Sequence, residues 1–255
     1  MRTLSVLPLI LLAAACPASP ARAQELVRVE AKLWNPSADA SVKSSTDLLT
    51  GTKINLQDDL HLDNDARLPY IKLSLGGGKQ RLVASAMQLK LDKESLPDVT
   101  FNFGGSTYTV GVPVKTVLEA EIYRVAWEAD WISTDLLRVG TIIGAEIFDT
   151  RASLENSVVG KKEQEVTVPV PIVGLQGEIG LPFGLAAYGE LAGLWLQSGG
   201  REGSFIEGEL GAKYVLFRIL HVSAGWRQIN VSLQDDQNKA SMALRGLVFG
   251  AGLQF

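Results

Sequence analysis

Leu247-Val248-Phe249-Gly250-Ala251-Gly252-Leu253-Gln254-Phe255 closes the chain, and its reading decides the fold. Counting back from the last residue, Phe255, Leu253, Ala251, Phe249 and Leu247 are apolar, with Gln254, Gly252, Gly250 and Val248 between them. Strand side chains point alternately to opposite faces, so this pattern makes a β-strand with one large apolar face and one small or mixed face. Arg245 is next in the apolar frame and breaks it, as a residue just beyond a hydrocarbon layer would. The pattern recurs from Tyr123 to Trp131, where Val125, Trp127 and Ala129 alternate with Arg124, Ala126, Glu128 and Asp130. That span matches the 9–11 or so residues of a tilted transmembrane strand, with an aromatic at each interface.

At the other end, Arg2 precedes an apolar run from Leu4 to Ala15, and Ala21-Arg22-Ala23 follows as a small-x-small cleavage site. This predicts a secretory signal peptide over 1–23, too short to stay as a membrane helix, and one barrel domain over 24–255. Its removal takes away Arg2 and Arg22, so the formal charge of −4 becomes two units more negative. The single cysteine, Cys16, lies in the removed segment. The mature chain then has no disulfide framework, thiolate catalyst or cysteine metal site. No later stretch gives about 20 consecutive apolar residues, so a chain that is 46% hydrophobic can cross a membrane only as a closed barrel.

The expected fold is therefore all-β: an antiparallel transmembrane barrel of about ten strands, with eight as the alternative. The strands are expected over 25–35, 68–76, 80–92, 123–131, 137–149, 168–181, 184–197, 204–217, 219–231 and 247–255. An even count leaves both termini in the periplasm. In the third strand, the poorest match, Val83, Met87, Leu89 and Leu91 are assigned to lipid and Gln88 and Lys90 to the lumen. Long loops are expected after the first, third and fifth strands. The second of these carries a hairpin around Gly104-Gly105 that projects beyond the bilayer. An aromatic girdle is assigned to Tyr123, Trp131, Trp195, Tyr214 and Trp226.

Lipid tolerates only the apolar faces, so the charged faces must line the lumen. That gives Arg28, Lys32, Lys72, Lys90, Arg124, Arg138, Lys213 and Arg227, balanced by Glu30, Glu128, Asp130, Glu146, Glu178, Glu190, Glu207 and Glu209. A narrow barrel has little room beyond its own side chains. A selective pore should carry an excess of one sign at its constriction. The balance therefore favours a salt-bridged, largely closed lumen with a structural or surface-interaction role. The alternative is a narrow porin-like channel for small solutes. No metal site, cofactor or nucleic-acid partner is expected, and His61 among Asp58, Asp59, Asp63 and Asp65 reads as a solvated acidic loop.

The last strand resembles the terminal strand of bacterial outer-membrane barrels, which the barrel-assembly machinery reads. The resemblance implies an assembly signal at Phe249, Leu253 and Phe255. Gly51-Thr52-Lys53-Ile54-Asn55-Leu56 with Asp58-Asp59-Leu60, Phe103-Gly104-Gly105-Ser106-Thr107-Tyr108 and Pro169 to Leu175 are similar to a widespread group of bacterial outer-membrane β-barrel proteins. That group has no assigned reaction. In it a glycine stands between the two leucines of the acidic loop, where this chain has His61. The broader likeness is to small barrels of the OmpA and OmpX kind. It implies the outer membrane of a Gram-negative cell envelope, contact with outer-membrane lipids and lipopolysaccharide, and a monomer.

Enzymatic readings rank third. His221 and Ser223 resemble the His-x-Ser of outer-membrane lipid A deacylases, but the pair points inward and no glutamate follows from Ala224 to Asp235. A protease of the omptin kind needs acidic pairs and an Asp-His pair at the barrel rim, drawn from several strands. Removing Phe255 is expected to lower the membrane-inserted fraction sharply without affecting secretion, as read by heat-modifiable gel migration.

Overall fold

The alternating segments pair into one antiparallel sheet that closes on itself. A computed structural model describes residues 26–44, 53–55, 67–98, 100–103, 105–134, 136–198, 201–216, 219–234 and 238–255. The expected signal peptide and the acidic loop with His61 lie outside these residues. The strands are β1 (Val27–Ser44), β2 (Lys53–Asn55), β3 (Leu68–Gly77), β4 (Gln80–Ser95), β5 (Phe101–Phe103), β6 (Ser106–Tyr108), β7 (Val114–Ser133), β8 (Leu137–Asn156), β9 (Gly160–Gly180), β10 (Leu185–Ser198), β11 (Arg201–Leu216), β12 (Leu220–Gln234) and β13 (Asn238–Gln254). Ten of them form the ring β1-β3-β4-β7-β8-β9-β10-β11-β12-β13. β13 closes it by pairing along β1 from Arg28↔Gln254 to Ser44↔Asn238. β2 extends the sheet beside β1, and β5 and β6 form a separate hairpin. The two ends of the described barrel meet: the amide of Leu26 donates to the Phe255 carbonyl at 2.6 Å, and the amide of Phe255 to Val27 at 2.8 Å.

The strands are longer than a membrane requires. β8 has 20 residues, so at about 3.3 Å per residue it runs about 66 Å. Tilted by about 40°, it rises about 50 Å, roughly twice the height of an apolar belt of about 25 Å. The sequence accommodates the excess by inverting its polarity part-way up the long strands; β3, with 10 residues, has none to accommodate. On β8, Val139, Thr141, Ile143, Ala145 and Ile147 face outward, then Asp149, Arg151, Ser153 and Glu155 follow on the same face. Inside, Glu146 is succeeded by Phe148, Ala152 and buried Leu154. On β7, the outward frame changes from Trp127, Val125 and Tyr123 to Glu121 and Glu119, and the inward frame from Glu128 and Arg124 to Ile122 and Ala120. Below the switch the barrel is apolar outside and charged inside, as lipid demands. Above it, it is charged outside and apolar inside, as water demands.

This switch corrects the facing expected for the upper part of β4, whereas Val83, below it, is inward simply because it shares the frame of Met87 and lies opposite the small Ala126. Val83, Met87 and Leu89 are buried in the interior, whereas Leu82 is half exposed on the outside and Lys90 lies on the outer wall. Gln88 is likewise exposed. The segment from Gln88 to Leu91 stands above the belt, where the apolar residues turn inward. The expected loop after the fifth strand is also corrected. β8 and β9 continue to a tight turn at 157–159, paired as far as Asn156↔Gly160. The hairpin β5–β6 exists, with Phe101 opposite Tyr108, but it does not simply project. Tyr108 is fully buried and donates its hydroxyl hydrogen to the carbonyl of Leu154 at 3.2 Å. The hairpin is therefore anchored on the inner wall of the upper barrel.

The apolar half forms one cluster that includes Trp34, Leu68, Tyr70, Met87, Leu89, Ile122, Ile142, Ile172, Phe205, Ile229, Leu244 and Val248. Phe148 meets Phe205 edge to face at 5.4 Å. Small inward residues let neighbouring backbones approach beneath this cluster. A Cβ at Gly144 would run into the carbonyl of Val125 and the Cα and Cβ of Ala126, and one at Gly174 into the carbonyl of Leu191. Gly144→Ala should therefore lower stability by about 1–3 kcal/mol, the usual cost of overpacking. Urea unfolding in vesicles measures this.

Candidate functional site

The lower half of the lumen is a continuous set of ion pairs contributed by nine of the ring strands. Each inward charge comes from the period-two frame of its strand, and closure brings partners together that are far apart in sequence. At the centre, Arg124 of β7 contacts Glu207 of β11, with Glu190 at 3.5 Å and Glu146 at 3.7 Å. Arg227 of β12 bridges Glu207 at 2.9 Å and Glu209 at 3.1 Å. Lys32 meets Glu209 at 2.6 Å, and Lys72 meets Glu190 at 2.8 Å. The Tyr188 hydroxyl also donates to Glu209. Towards the end of the barrel that holds Leu26 and Phe255, Arg81 grips Asp130 through both terminal nitrogens and reaches Glu128 at 3.1 Å. Arg138 and Gln176 add to Asp130, and Lys213 pairs with Glu178 at 2.7 Å. Arg28 lines the small cavity of about 60 Å³ at this mouth, together with Glu30, Lys72 and Glu178.

Most of these side chains are buried, and single charges taken from water cost several kcal/mol unless they are paired. The network meets that demand by setting a lysine or arginine against Glu128, Asp130, Glu146, Glu178, Glu190, Glu207 and Glu209, and His221 against Glu30. Its upper boundary is aromatic. The Arg227 guanidinium lies 4.8 Å from the Tyr70 ring centre and 5.5 Å from that of Trp34, and the Lys32 ammonium 5.4 Å from that of Tyr188. Rings accept cations on one face and apolar neighbours on the other, so Tyr70 and Trp34 join the charged layer to the apolar one.

Of the charges expected inside, Lys90 alone stands elsewhere. It pairs with Glu119 at 2.6 Å on the outer wall above the belt. That hydrogen bond holds its ammonium above the ordinary range. Arg81, which the sequence reading missed, takes its place within, so the balance of signs is kept. Arg81 sits one residue past the start of β4, against the Gly78-Lys79 turn, where alternation carries little information. The wall itself bears cross-strand rows of alternating charge, Lys90–Glu119–Arg151–Glu165 and Glu94–Lys115–Glu155–Lys161.

Phe249, Leu253 and Phe255 all face outward, as do Tyr123, Trp131, Trp195, Tyr214 and Trp226. Trp226 is flanked by Leu210 and Leu247, and the Trp195 indole donates to Glu202 at 3.0 Å. His221 is buried in the lumen. Its Nε2 pairs with Glu30 at 2.7 Å, and its Nδ1 has no hydrogen-bond partner among the described residues. Glu190 and Glu207 are held by Lys72 and the arginines. Neither ring nitrogen meets Ser223, so the hydroxyl lacks the hydrogen-bonded base that nucleophilic catalysis requires. Among the described residues, no group of three His, Cys, Asp or Glu side chains is placed to hold a metal ion.

Solved structures share this architecture. The outer-membrane protease OmpT from Escherichia coli aligns over 91% of this chain and 98% of its own, with a TM-score of 0.57 and 11% identity. The chain is a β-barrel of the outer-membrane type. The transport unit of the autotransporter AIDA-I from Escherichia coli aligns over 95% of this chain and 93% of its own, with a TM-score of 0.46 and 7% identity. For Ail, the attachment invasion locus protein of Yersinia pestis, the values are 91%, 99%, 0.35 and 12%. No family model and no curated protein matches the sequence.

Proposed function

We propose that this barrel is a closed outer-membrane scaffold that presents its upper wall and loops to the exterior, rather than a conduit or an enzyme. The observation that carries this reading is the apolar layer above the ion pairs. A solute entering from outside would have to part Ile122, Ile142, Phe205 and Leu244, which belong to one packed apolar cluster. The paired charges beneath neutralise one another and leave no sign excess to select an ion. What stands in water is the charged wall of β4, β7, β8 and β9, with a depression of about 260 Å³ lined by Lys115, Arg151, Lys161 and three glutamates. Such a surface suits contact with polar, charged partners outside the cell.

The narrow-channel reading rests on the mouth cavity at the opposite end, which the same apolar layer closes off. Cysteine labelling in whole cells separates the two. An impermeant maleimide should modify Arg151→Cys on the wall and leave Ile122→Cys untouched. Equal modification at both positions would mean that water and solutes pass the layer, and the scaffold reading would fall.

A further inference from the structure

The outward face carries one depression that lies inside the lipid belt. It spans β9 to β12, has a volume of about 510 Å³, and is floored at Gly177, Gly189 and Gly208. Gly177 pairs with Gly189, and Gly208 pairs with Leu191, so the missing side chains are contiguous across three strands. Nothing in the backbone demands glycine there. A Cβ would sit 3.6 Å from its nearest neighbour at Gly177, 3.5 Å at Gly208 and 3.3 Å from a mobile leucine methyl at Gly189. None of the three has a positive φ. This contrasts with Gly144 and Gly174, where a Cβ would strike backbone. Glycine weakens a strand, so three glycines without a steric reason keep a space open.

The groove has a direction. Its sides are aliphatic, with Leu175 and Leu210, and Trp226 stands over it. Towards the end remote from Phe255 it reaches Gln228 and Asn230. Gln228 pairs across strands with Arg245, the exposed cation that breaks the apolar frame of β13. An apolar trough thus runs up to an amide pair and a guanidinium at the outer edge of the belt. Gln176, Glu190 and Glu209 also border it but turn their side chains into the lumen, so its outward polar side chains stand at one end, and its volume is that of a small-molecule site. A guanidinium beside amides is suited to a phosphate, which it can hold through two parallel bonds.

We propose that this groove is a lipid site that takes an acyl chain of lipopolysaccharide, with a lipid A phosphate held by Arg245, Gln228 and Asn230. The belt already faces lipid, and the polar end lies at the outer leaflet, where phosphorylated lipid A resides. The inference does not depend on whether the lumen is closed.

The test is lipid retention by the full chain, purified from outer membranes in mild detergent and examined by native mass spectrometry and lipid A assay. The unaltered protein should retain lipid A. Filling the groove with Gly189→Leu and Gly208→Leu should lower retention about tenfold, a change easily resolved as affinity. Arg245→Gln should lower lipid A retention while leaving bound phospholipid unchanged. Heat-modifiable migration checks that each variant is folded. If the double substitution blocks folding, Gly208→Ala and Arg245→Gln carry the test. Undiminished lipid A in the folded variants would overturn the proposal, as would retention of phospholipid alone. A change from dimer to monomer on filling the groove would overturn it too, because the occupant would then be a second copy of this chain.

Discussion

Replacing Arg124 by methionine should destabilise the barrel by about 3–5 kcal/mol, the cost of leaving buried charges without their partner. Arg124 touches Glu207, Glu190 and Glu146 together. Glu190 keeps Lys72 and Glu207 keeps Arg227. Glu146 is 1% exposed, and Arg124 is its ion-pair partner among the described residues. The penalty should therefore be felt most at Glu146, and Glu146→Gln in the Arg124→Met background should recover a large part of it. Glu146→Gln alone should cost much less than Arg124→Met. Denaturant unfolding of the four proteins in vesicles closes the cycle. Additive effects in that cycle would mean that the two side chains do not interact.

Ile143→Arg should cost about 2–4 kcal/mol, the value for a lipid-facing arginine at mid-bilayer depth. Ile143 is the central residue of the outward run Val139–Ile147 on β8, and it lies opposite Trp127 and Val173. Four outward positions further along the same face, the chain already carries Arg151. There the ion pairs with Glu163 and Glu165, both at 3.3 Å, show a surface built for water. Thr141→Arg, nearer the other edge, should cost less, and Thr167→Arg, exposed on the charged wall opposite Asp149, almost nothing. A flat profile across these positions would remove the belt from where the polarity switch places it.

Period two was legible wherever a strand stays within lipid, because the solvent outside and the charges inside then give opposite instructions to successive residues. The runs Tyr123–Trp131 and Leu247–Phe255 are of this kind, and their facing in the barrel matches that alternation. Above the belt the instructions reverse. A reader who assumes lipid throughout then assigns Gln88-Leu89-Lys90-Leu91 to the wrong faces, and takes Thr150 to Thr167 for a loop. The sign change itself, from Ile147 to Asp149 on one face, was present in the sequence and could have marked the boundary.

Side-chain partners were less accessible. His221 and Glu30 are 191 residues apart and meet only because β13 closes the ring between their strands. Nothing local to either residue signals the other. Arg81 escaped notice for a different reason, since a residue next to a tight turn has too few neighbours in frame to reveal its face. The balance of interior charge survived both errors, because closure pairs whole faces rather than individual residues.

Planar-bilayer recording of the purified, refolded chain tests the closed lumen most directly. The apolar layer above a neutral ion-pair network predicts no steady conductance at any salt concentration, with or without Arg124→Met or Glu128→Gln in folded protein. A steady, salt-dependent conductance whose size or selectivity changes on neutralising Arg124 or Glu128 would contradict the account.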